Sequence, residues 1–236
     1  MNRRSFLRST AAAGAGLVLS PSVAPLAGDD SGGDINIALI GAGTQGEVLV
    51  NACVKTAADS GIRFAAVCDI WEDLNLKRVA GLLSRYGHEA RSYVDCREML
   101  EQEKDLHVVL IATPDFCHAE QAVACLEAGL HVYCEAPMSN TIDGARRMVQ
   151  AARERGRLLQ IGQQRRSNPR YRHCRTQLLE MAGLLGRLTA VNAMWHHPAR
   201  ADRGWSKRWA LDEATLARYG YASMHQFKNW MWYKGL

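Results

Sequence analysis

No two of the seven cysteines, Cys53, Cys68, Cys96, Cys117, Cys125, Cys134 and Cys174, stand in C-x-x-C spacing. That absence removes the ligand pattern of a structural zinc site, and the odd count gives no closed disulfide framework. Cys68, Cys125 and Cys134 fall in apolar patterns, where a thiol behaves as a small hydrophobe. A membrane span is missing too: the apolar stretch 11–19 is short and rich in Ala and Gly, whereas a bilayer core asks for about 20 apolar residues. No internal repeat or low-complexity segment follows residue 27. Charge of one sign is also scarce. The formal net charge is +5, and removing Arg3, Arg4 and Arg8 leaves +2 for the rest of the chain. A nearly neutral domain gives no support to a nucleic-acid or membrane-surface partner.

What is present begins with a leader. Residues 1–8 read MNRRSFLR, then come the small apolar stretch and a Pro-containing segment that ends in Pro25-Leu26-Ala27. This looks like a twin-arginine export signal over 1–27, cleaved after Ala27, with 28–33 as a polar linker; a disordered basic leader is the plainer alternative. The expected location is the periplasm, reached through the twin-arginine machinery. Such substrates fold before transport in a reducing compartment, so free thiols and a preloaded nucleotide are compatible with export.

The run Ile35–Ile40 feeds directly into G-x-G-x-x-G at Gly41, Gly43 and Gly46. Gly41 allows a tight turn off a strand, Gly43 lets backbone amides approach a pyrophosphate, and Gly46 lets the next helix pack close to the sheet. A second apolar strand ends at Asp69, 23 residues beyond Gly46. An acid there can accept both hydroxyls of an adenosine ribose and would repel a 2′-phosphate. Because Trp71 rather than an arginine follows, NAD is expected in preference to NADP. The plainer alternative makes the glycines an ordinary turn and Asp69 a helix cap.

Strand and helix alternate from 35 to about 163. The spacing predicts strands at 35–40, 63–68, 107–112, 131–134 and 158–162, and helices near 45–58, 72–86, 116–128 and 142–155, with Gly129 and Gly156 as stop signals. The fold class is α/β: a doubly wound parallel sheet over 34–160, followed by an incomplete α+β domain over 161–236. In that second part Pro169 opens a helix to about Met181, and 188–195 alternates like a strand. Trp195, Trp205, Trp209, Trp230 and Trp232 then cluster with Tyr219, Tyr221, Phe227 and Tyr233, a density of aromatics that lines a pocket or an interface.

Three more motifs lie at carboxyl ends of predicted strands, where open α/β sheets bind their ligands. They are Ala112-Thr113-Pro114-Asp115 with His118 beyond, Cys134-Glu135-Ala136-Pro137, and Gly162-Gln163-Gln164-Arg165-Arg166. With the glycine loop, they make residues 34–236 resemble the Gfo/Idh/MocA oxidoreductases, the superfamily of glucose-fructose oxidoreductase and inositol dehydrogenase. The resemblance implies a Rossmann domain in which Gly41, Gly43, Thr44, Gln45 and Gly46 hold the pyrophosphate and Asp69 the adenosine ribose. It places Thr113 and Pro114 beside the nicotinamide, and His118 and Glu135 at the cofactor ribose. Pro137 would follow a cis peptide, and Arg165, with Arg166 beside it, would face the substrate, so Glu135 and Arg165 become the candidate catalytic groups. Each has a plainer role: His118 as a packing or capping residue, Thr113-Pro114-Asp115 as a helix-capping turn, Glu135 as a solvated strand end, and Arg170, Arg172 and Arg175 as a solvated surface.

The implied reaction is NAD-dependent hydride transfer on a sugar, glycoside or polyol, with no metal. Two departures stand out. The family pattern at 135–137 is Glu-Lys-Pro, and Ala136 can neither donate a proton nor carry charge. The family also has an Asp-x-x-x-His pair after a Gly-rich turn that follows text like Asn229-Trp230-Met231-Trp232-Tyr233, and the sequence ends at Leu236, where that turn would begin. The expectation is a chain truncated at its C-terminus, with a homo-oligomer only in a full-length form. Should it be active as it stands, the base must lie among Glu135, His196, His197 and His225. The alternatives are a redox-neutral glycoside-cleaving or epimerising enzyme, in which NAD is regenerated, and a non-catalytic nucleotide-binding remnant.

Overall fold

The computed structural model describes residues 34–194 and 210–227. The leader, the linker 28–33, the five tryptophans beyond residue 190, His196, His197 and Tyr233 lie outside them. Six strands, β1 (Ile35–Ile40), β2 (Ile62–Cys68), β3 (Arg91–Tyr93), β4 (Val108–Ile111), β5 (His131–Cys134) and β6 (Leu159–Ile161), form one parallel sheet in the order β3-β2-β1-β4-β5-β6. Strand order reverses between β1 and β4, which opens a crevice at their carboxyl ends. This is the doubly wound α/β fold read from the alternation of strands and helices.

The side-chain period of two splits the core into halves. Ile37 and Leu39 of β1 face one way and pack with Phe64, Val67, Val50, Val79 and Leu83. Ala38 and Ile40 face the other way and pack with Met99, Leu126 and Met148. Helices α1 (Thr44–Val54) and α3 (Lys77–Arg85) therefore cover one face, and α4 (Cys96–Gln102), α5 (Asp115–Glu127) and α6 (Ile142–Glu154) the other. A sheet buried on both faces explains its continuous aliphatic runs. Each fully buried large apolar side chain, such as Phe64 or Leu39, contributes about 1.5–3 kcal/mol.

Local chemistry sets where the elements end. The carboxylate of Asp95 accepts from Arg97 N at the start of α4, and Thr141 Oγ1 accepts from Gly144 N at the start of α6. Gly129 closes α5 at φ 85, with Leu130 N donating to Cys125 O and Gly129 N to Leu126 O. The helix expected over 45–58 stops at Val54, and a short α2 (Ala57–Ser60) follows, ended by Gly61 at φ 67. The helix expected near 72–86 opens with a π-helical turn, Glu72–Leu76, before α3.

The sequence pattern signals neither β3 nor α4 nor, farther on, the helix Glu213–Arg218. β3 and α4 occupy a stretch with no apolar run, and β3 exists because Arg91, Ser92 and Tyr93 pair with Ala66, Val67 and Cys68 of β2. Conversely, the strand expected over 188–195 is not formed at 188–194, which are irregular and exposed. Alternation alone does not make a strand; its backbone groups need a partner strand. Beyond β6, α7 (Pro169–His173) runs into a π-helical stretch, Cys174–Met181, in agreement with the helix opened by Pro169. Asn168 caps it, accepting from Arg170 N. Farther on, α8 (Glu213–Arg218) carries the buried Leu216. No helix of the described residues is long and apolar enough to cross a membrane.

Candidate functional site

A cavity of about 810 Å³ opens at the carboxyl ends of β1, β2, β4 and β5. That volume lies within the range of small-molecule and cofactor sites. Its floor is the glycine turn, and the three glycines there do different things. Gly41 sits at φ 92, and a Cβ on it would lie 2.7 Å from the carbonyl carbon of Ala112. A Cβ on Gly46 would overlap the carbonyl oxygen of Gly41. Gly43 has nothing within 4 Å of its Cβ position and faces open space. It is also the N-cap of α1 and brings no side-chain acceptor to the first turn. The helix therefore presents its orphan N–H groups and positive dipole end at the one glycine beside open space, which suits a pyrophosphate.

Asp69 closes the β2 side and is only 8% exposed. Its Oδ2 accepts from Ala42 N (2.7 Å) and Asn75 Nδ2 (3.2 Å), and its Oδ1 from Trp71 N (2.8 Å). Burial pushes the carboxyl above its ordinary value, and the hydrogen bonds from Trp71, Ala42 and Asn75, with the charge of Arg78, pull it back. A carboxylate offers about four lone-pair sites, so three protein donors leave room for one ribose hydroxyl rather than two. An arginine is also closer than the sequence suggested. Arg78 donates to Ala42 O at 3.1 Å and faces Glu47 at 3.4 Å. The sequence pattern looked only as far as Trp71, whereas α3 brings back a residue nine positions beyond Asp69. Asn75 was missed for the same reason.

On the opposite wall Thr113, Pro114, Ala136 and Pro137 line the cavity, and the Ala136–Pro137 peptide is cis, as the resemblance implied. Thr113 Oγ1 donates to Gln121 Oε1 at 2.6 Å, a partner that the motif did not reveal. Pro114 is also the N-cap residue of α5, without a side-chain cap hydrogen bond, so this turn both walls the cavity and starts the helix. His118 is a correction. It is 1% exposed, does not line the cavity, and places Nδ1 2.7 Å from Pro137 O and Nε2 2.9 Å from Thr113 O. It joins the β4 and β5 loops from behind the wall, so its expected place at a ribose gives way to a packing role.

Glu135 is buried at the end of β5 and accepts from Gln45 Nε2 at 2.9 Å and Tyr133 OH at 3.2 Å. Gln45, expected at the pyrophosphate, thus ties the glycine turn to β5. Burial, then the neighbouring Glu135 charge, pushes the Tyr133 phenol up to about 12. Gly162 makes the space for this pair, since a Cβ there would stand 2.8 Å from Glu135 Oε2. Glu135 is therefore a held carboxylate rather than a solvated strand end. Arg165 is exposed, donates to Tyr171 OH at 2.9 Å, and is not among the cavity-lining residues. The structure does not bring it to the groove. Arg166 and His225 are exposed as well. The described cysteines are all free, and burial raises Cys68 and Cys125 well above the ordinary thiol range. These thiols stay protonated and serve the core. No group of three His, Cys, Asp or Glu among the described residues is placed to hold a metal ion.

The family comparison falls on the same stretch of chain. Residues 35–163 match the Gfo/Idh/MocA family model, described as an oxidoreductase family with an NAD-binding Rossmann fold. The chain is 34% identical over 134 residues to the inositol 2-dehydrogenase of Salmonella typhimurium, covering 56% of this chain and 38% of that protein. It is 30% identical over 213 residues to a glycosyl hydrolase family 109 protein of Solibacter usitatus, covering 85% of this chain and 47% of that one. The structure of the WlbA dehydrogenase from Bordetella pertussis, in complex with NADH and UDP-GlcNAcA, aligns with a TM-score of 0.57 at 26% identity, over 65% of this chain and 44% of that one. The chain thus spans less than half the length of each relative. With a matched stretch that begins at β1 and ends just past β6, the chain belongs to the Gfo/Idh/MocA oxidoreductase family, with its NAD-binding Rossmann domain at 35–163.

Proposed function

We propose that this chain binds NAD across the β1–β4 crevice and belongs to an oxidoreductase acting on a sugar, glycoside or polyol. Gly43 carries the reading: of the three glycines in the turn it is the one whose Cβ position is empty, at the N-terminus of α1, between Asp69 on one side and the Thr113–Pro114 and Ala136–Pro137 turns on the other. Gly41 and Gly46 shape the turn, Asp69 takes a ribose hydroxyl, and Thr113, Pro114 and Ala136 wall the nicotinamide half. Such a cofactor exchanges hydride at its nicotinamide C4 with a carbinol carbon. The chain's own residues orient both partners. The 2′-phosphate of NADP would meet the buried Asp69, and Arg78 is engaged by Glu47 and Ala42, so NAD is the preferred form. The N-terminal pair Arg3 and Arg4 supports export through the twin-arginine route as part of the same reading.

Ala136 favours a second reading. It stands in the groove where the family motif carries lysine, so the usual proton acceptor is not supplied at that position. A redox-neutral glycoside-cleaving reaction, with transient oxidation and return of the hydride, agrees with the similarity to the Solibacter usitatus protein. Titration with NAD followed by a panel of inositols, sugars and glycosides decides between them. Net NADH supports the dehydrogenase, glycoside turnover without net NADH supports the redox-neutral enzyme, and NAD binding with neither marks a non-catalytic module.

A further inference from the structure

The aromatic residues of the C-terminal part that the structure describes are not scattered. Phe227 is fully buried and Leu216 is 4% exposed, and both pack with Trp71, the second residue after Asp69. The ring of Trp71 meets Tyr219 edge-on at 4.3 Å between centroids and Phe227 edge-on at 4.5 Å. Aromatic pairs of this geometry add to the area they bury. Polar contacts fix the same approach: Glu72 N donates to Tyr219 OH at 3.1 Å, and Arg218 pairs with Asp73. Residues 211–227 thus sit on the π-helical turn Glu72–Leu76, a rare geometry that often marks functional positions. That turn also carries Asn75, one of the donors on Asp69.

This segment reaches the cavity itself. Leu211 and Phe227 line it beside Trp71 and Leu74. The end of β2 marks the adenosine half of a doubly wound site, and the Ala136–Pro137 turn lies across the crevice on the other half. The apolar wall therefore stands over an adenine-bearing half and away from the nicotinamide.

We infer that residues 211–227 form a strap over the adenosine end of the groove, so that docking of the strap and binding of an adenine nucleotide are coupled. The inference rests on the dinucleotide reading. A short segment held by one small cluster and a few polar contacts has little stability of its own, and local opening draws on such regions. An adenine ring filling the space beneath Leu211 and Phe227 adds apolar contact only when the strap is docked. Linkage then requires that the nucleotide hold the strap down and that the strap tighten the nucleotide by the same factor. AMP, which carries the adenosine half alone, should act like NAD, and nicotinamide mononucleotide should not.

Hydrogen exchange of the intact chain, read by mass spectrometry, tests this with NAD, AMP and nicotinamide mononucleotide. NAD and AMP are expected to slow exchange across 211–227 and 69–77 by tenfold or more, while nicotinamide mononucleotide leaves 211–227 unchanged. Leu216→Asp, which removes the strap's buried anchor, should weaken NAD and AMP at least tenfold with the melting temperature of the sheet domain nearly unchanged. Tyr219→Phe, which keeps the ring and loses only the oxygen facing Glu72 N, should weaken both about threefold and serves if the aspartate variant misfolds. Protection by NAD around Gly41–Gly46 with no change across 211–227, or parent-like affinity in these variants, overturns the strap and leaves the NAD reading standing. No protection anywhere by any nucleotide overturns both.

Discussion

A single methyl group at Gly43 should leave the fold intact and cost the protein its dinucleotide, whereas the same methyl at Gly46 should destabilise the fold. At Gly43 the backbone is extended, with φ −70 and ψ −163, and the added carbon has no neighbour within 4 Å. Alanine is a poorer N-cap than glycine by roughly 0.5–1 kcal/mol, and it gains a comparable amount by restricting the unfolded chain. The two effects offset, and stability should change by less than about 0.5 kcal/mol. The methyl nevertheless occupies the space that a pyrophosphate needs against the first turn of α1, so NAD affinity should fall at least tenfold, or about 1.4 kcal/mol. At Gly46 the helical backbone would favour alanine by about 1 kcal/mol. That gain is overwhelmed, because the new Cβ overlaps a backbone oxygen of Gly41, which cannot retreat with Ala112 packed beside it. Overpacking against backbone should cost about 2 kcal/mol or more, a fall of roughly 5–10 °C in melting temperature. Thermal melts by circular dichroism and NAD titration by calorimetry give the two readouts. Parent-like NAD affinity in Gly43→Ala would refute the cradle, and a parent-like melt in Gly46→Ala would refute the packing argument.

Asp69→Asn replaces one of two accepting oxygens by a donor, so either Ala42 N or Trp71 N loses its partner; the apo domain should lose about 1–2 kcal/mol and the preference for NAD over NADP should shrink at least tenfold, by melting and by competitive titration. The Tyr133 phenol is raised in the folded protein from the ordinary value near 10 to about 12. Its contribution to stability is complete below the ordinary value and is lost as pH rises towards 12, so Tyr133→Phe should flatten the decline of melting temperature across that window, and an equally steep decline in the variant counts against the raised phenol. Changing Arg3 and Arg4 together to lysine should hold the protein in the cytoplasm uncleaved, as read by fractionation and blotting. Normal processing of that variant points to the general secretory route.

What could be read from the sequence, and what could not, divides along the range of the forces involved. Strands β1, β2, β4 and β5 and helices α1, α5 and α6 were legible because each carries its own signal, an aliphatic run or a glycine stop close to its ends. β3 carries no such signal; three residues become a strand only because β2 offers an unpaired edge. The loss of the expected strand over 188–195 is the same rule in reverse, since among the described residues no strand pairs with 188–194 and the chain there is irregular. Within the site, features set by local backbone were legible, among them the positive φ of Gly41, the close packing at Gly46 and the cis Ala136–Pro137 peptide. Residues whose role depends on what folds back onto them were misjudged. His118 lies one turn into a helix that opens at a pocket wall, a natural place for a ligand-facing side chain, yet two carbonyls from different loops take both ring nitrogens.

Asp69 shows the limit most clearly, because its place at the end of β2 was legible and its surroundings were not. The spacing from the glycine loop marks an acid at the end of β2, but only the folded chain shows three donors already on it, Arg78 close by, and Trp71 covered by residues some 150 positions away. An unencumbered carboxylate would bind a ribose by direct capture of both hydroxyls, with affinity set by two new hydrogen bonds. A carboxylate held by Ala42, Trp71 and Asn75 is instead preorganised, so binding adds one bond at small reorganisation cost. Specificity in that case comes less from the hydroxyl gained than from the buried negative charge that a 2′-phosphate cannot approach. Removing the Asn75 donor by Asn75→Ala should then raise the room at Asp69 for a second hydroxyl and loosen its position at once. The expected outcome is a change in NAD affinity of less than about threefold in either direction with an unchanged rejection of NADP. A tenfold gain in NAD affinity would show that free acceptor capacity, and not preorganisation, limits binding at this acid.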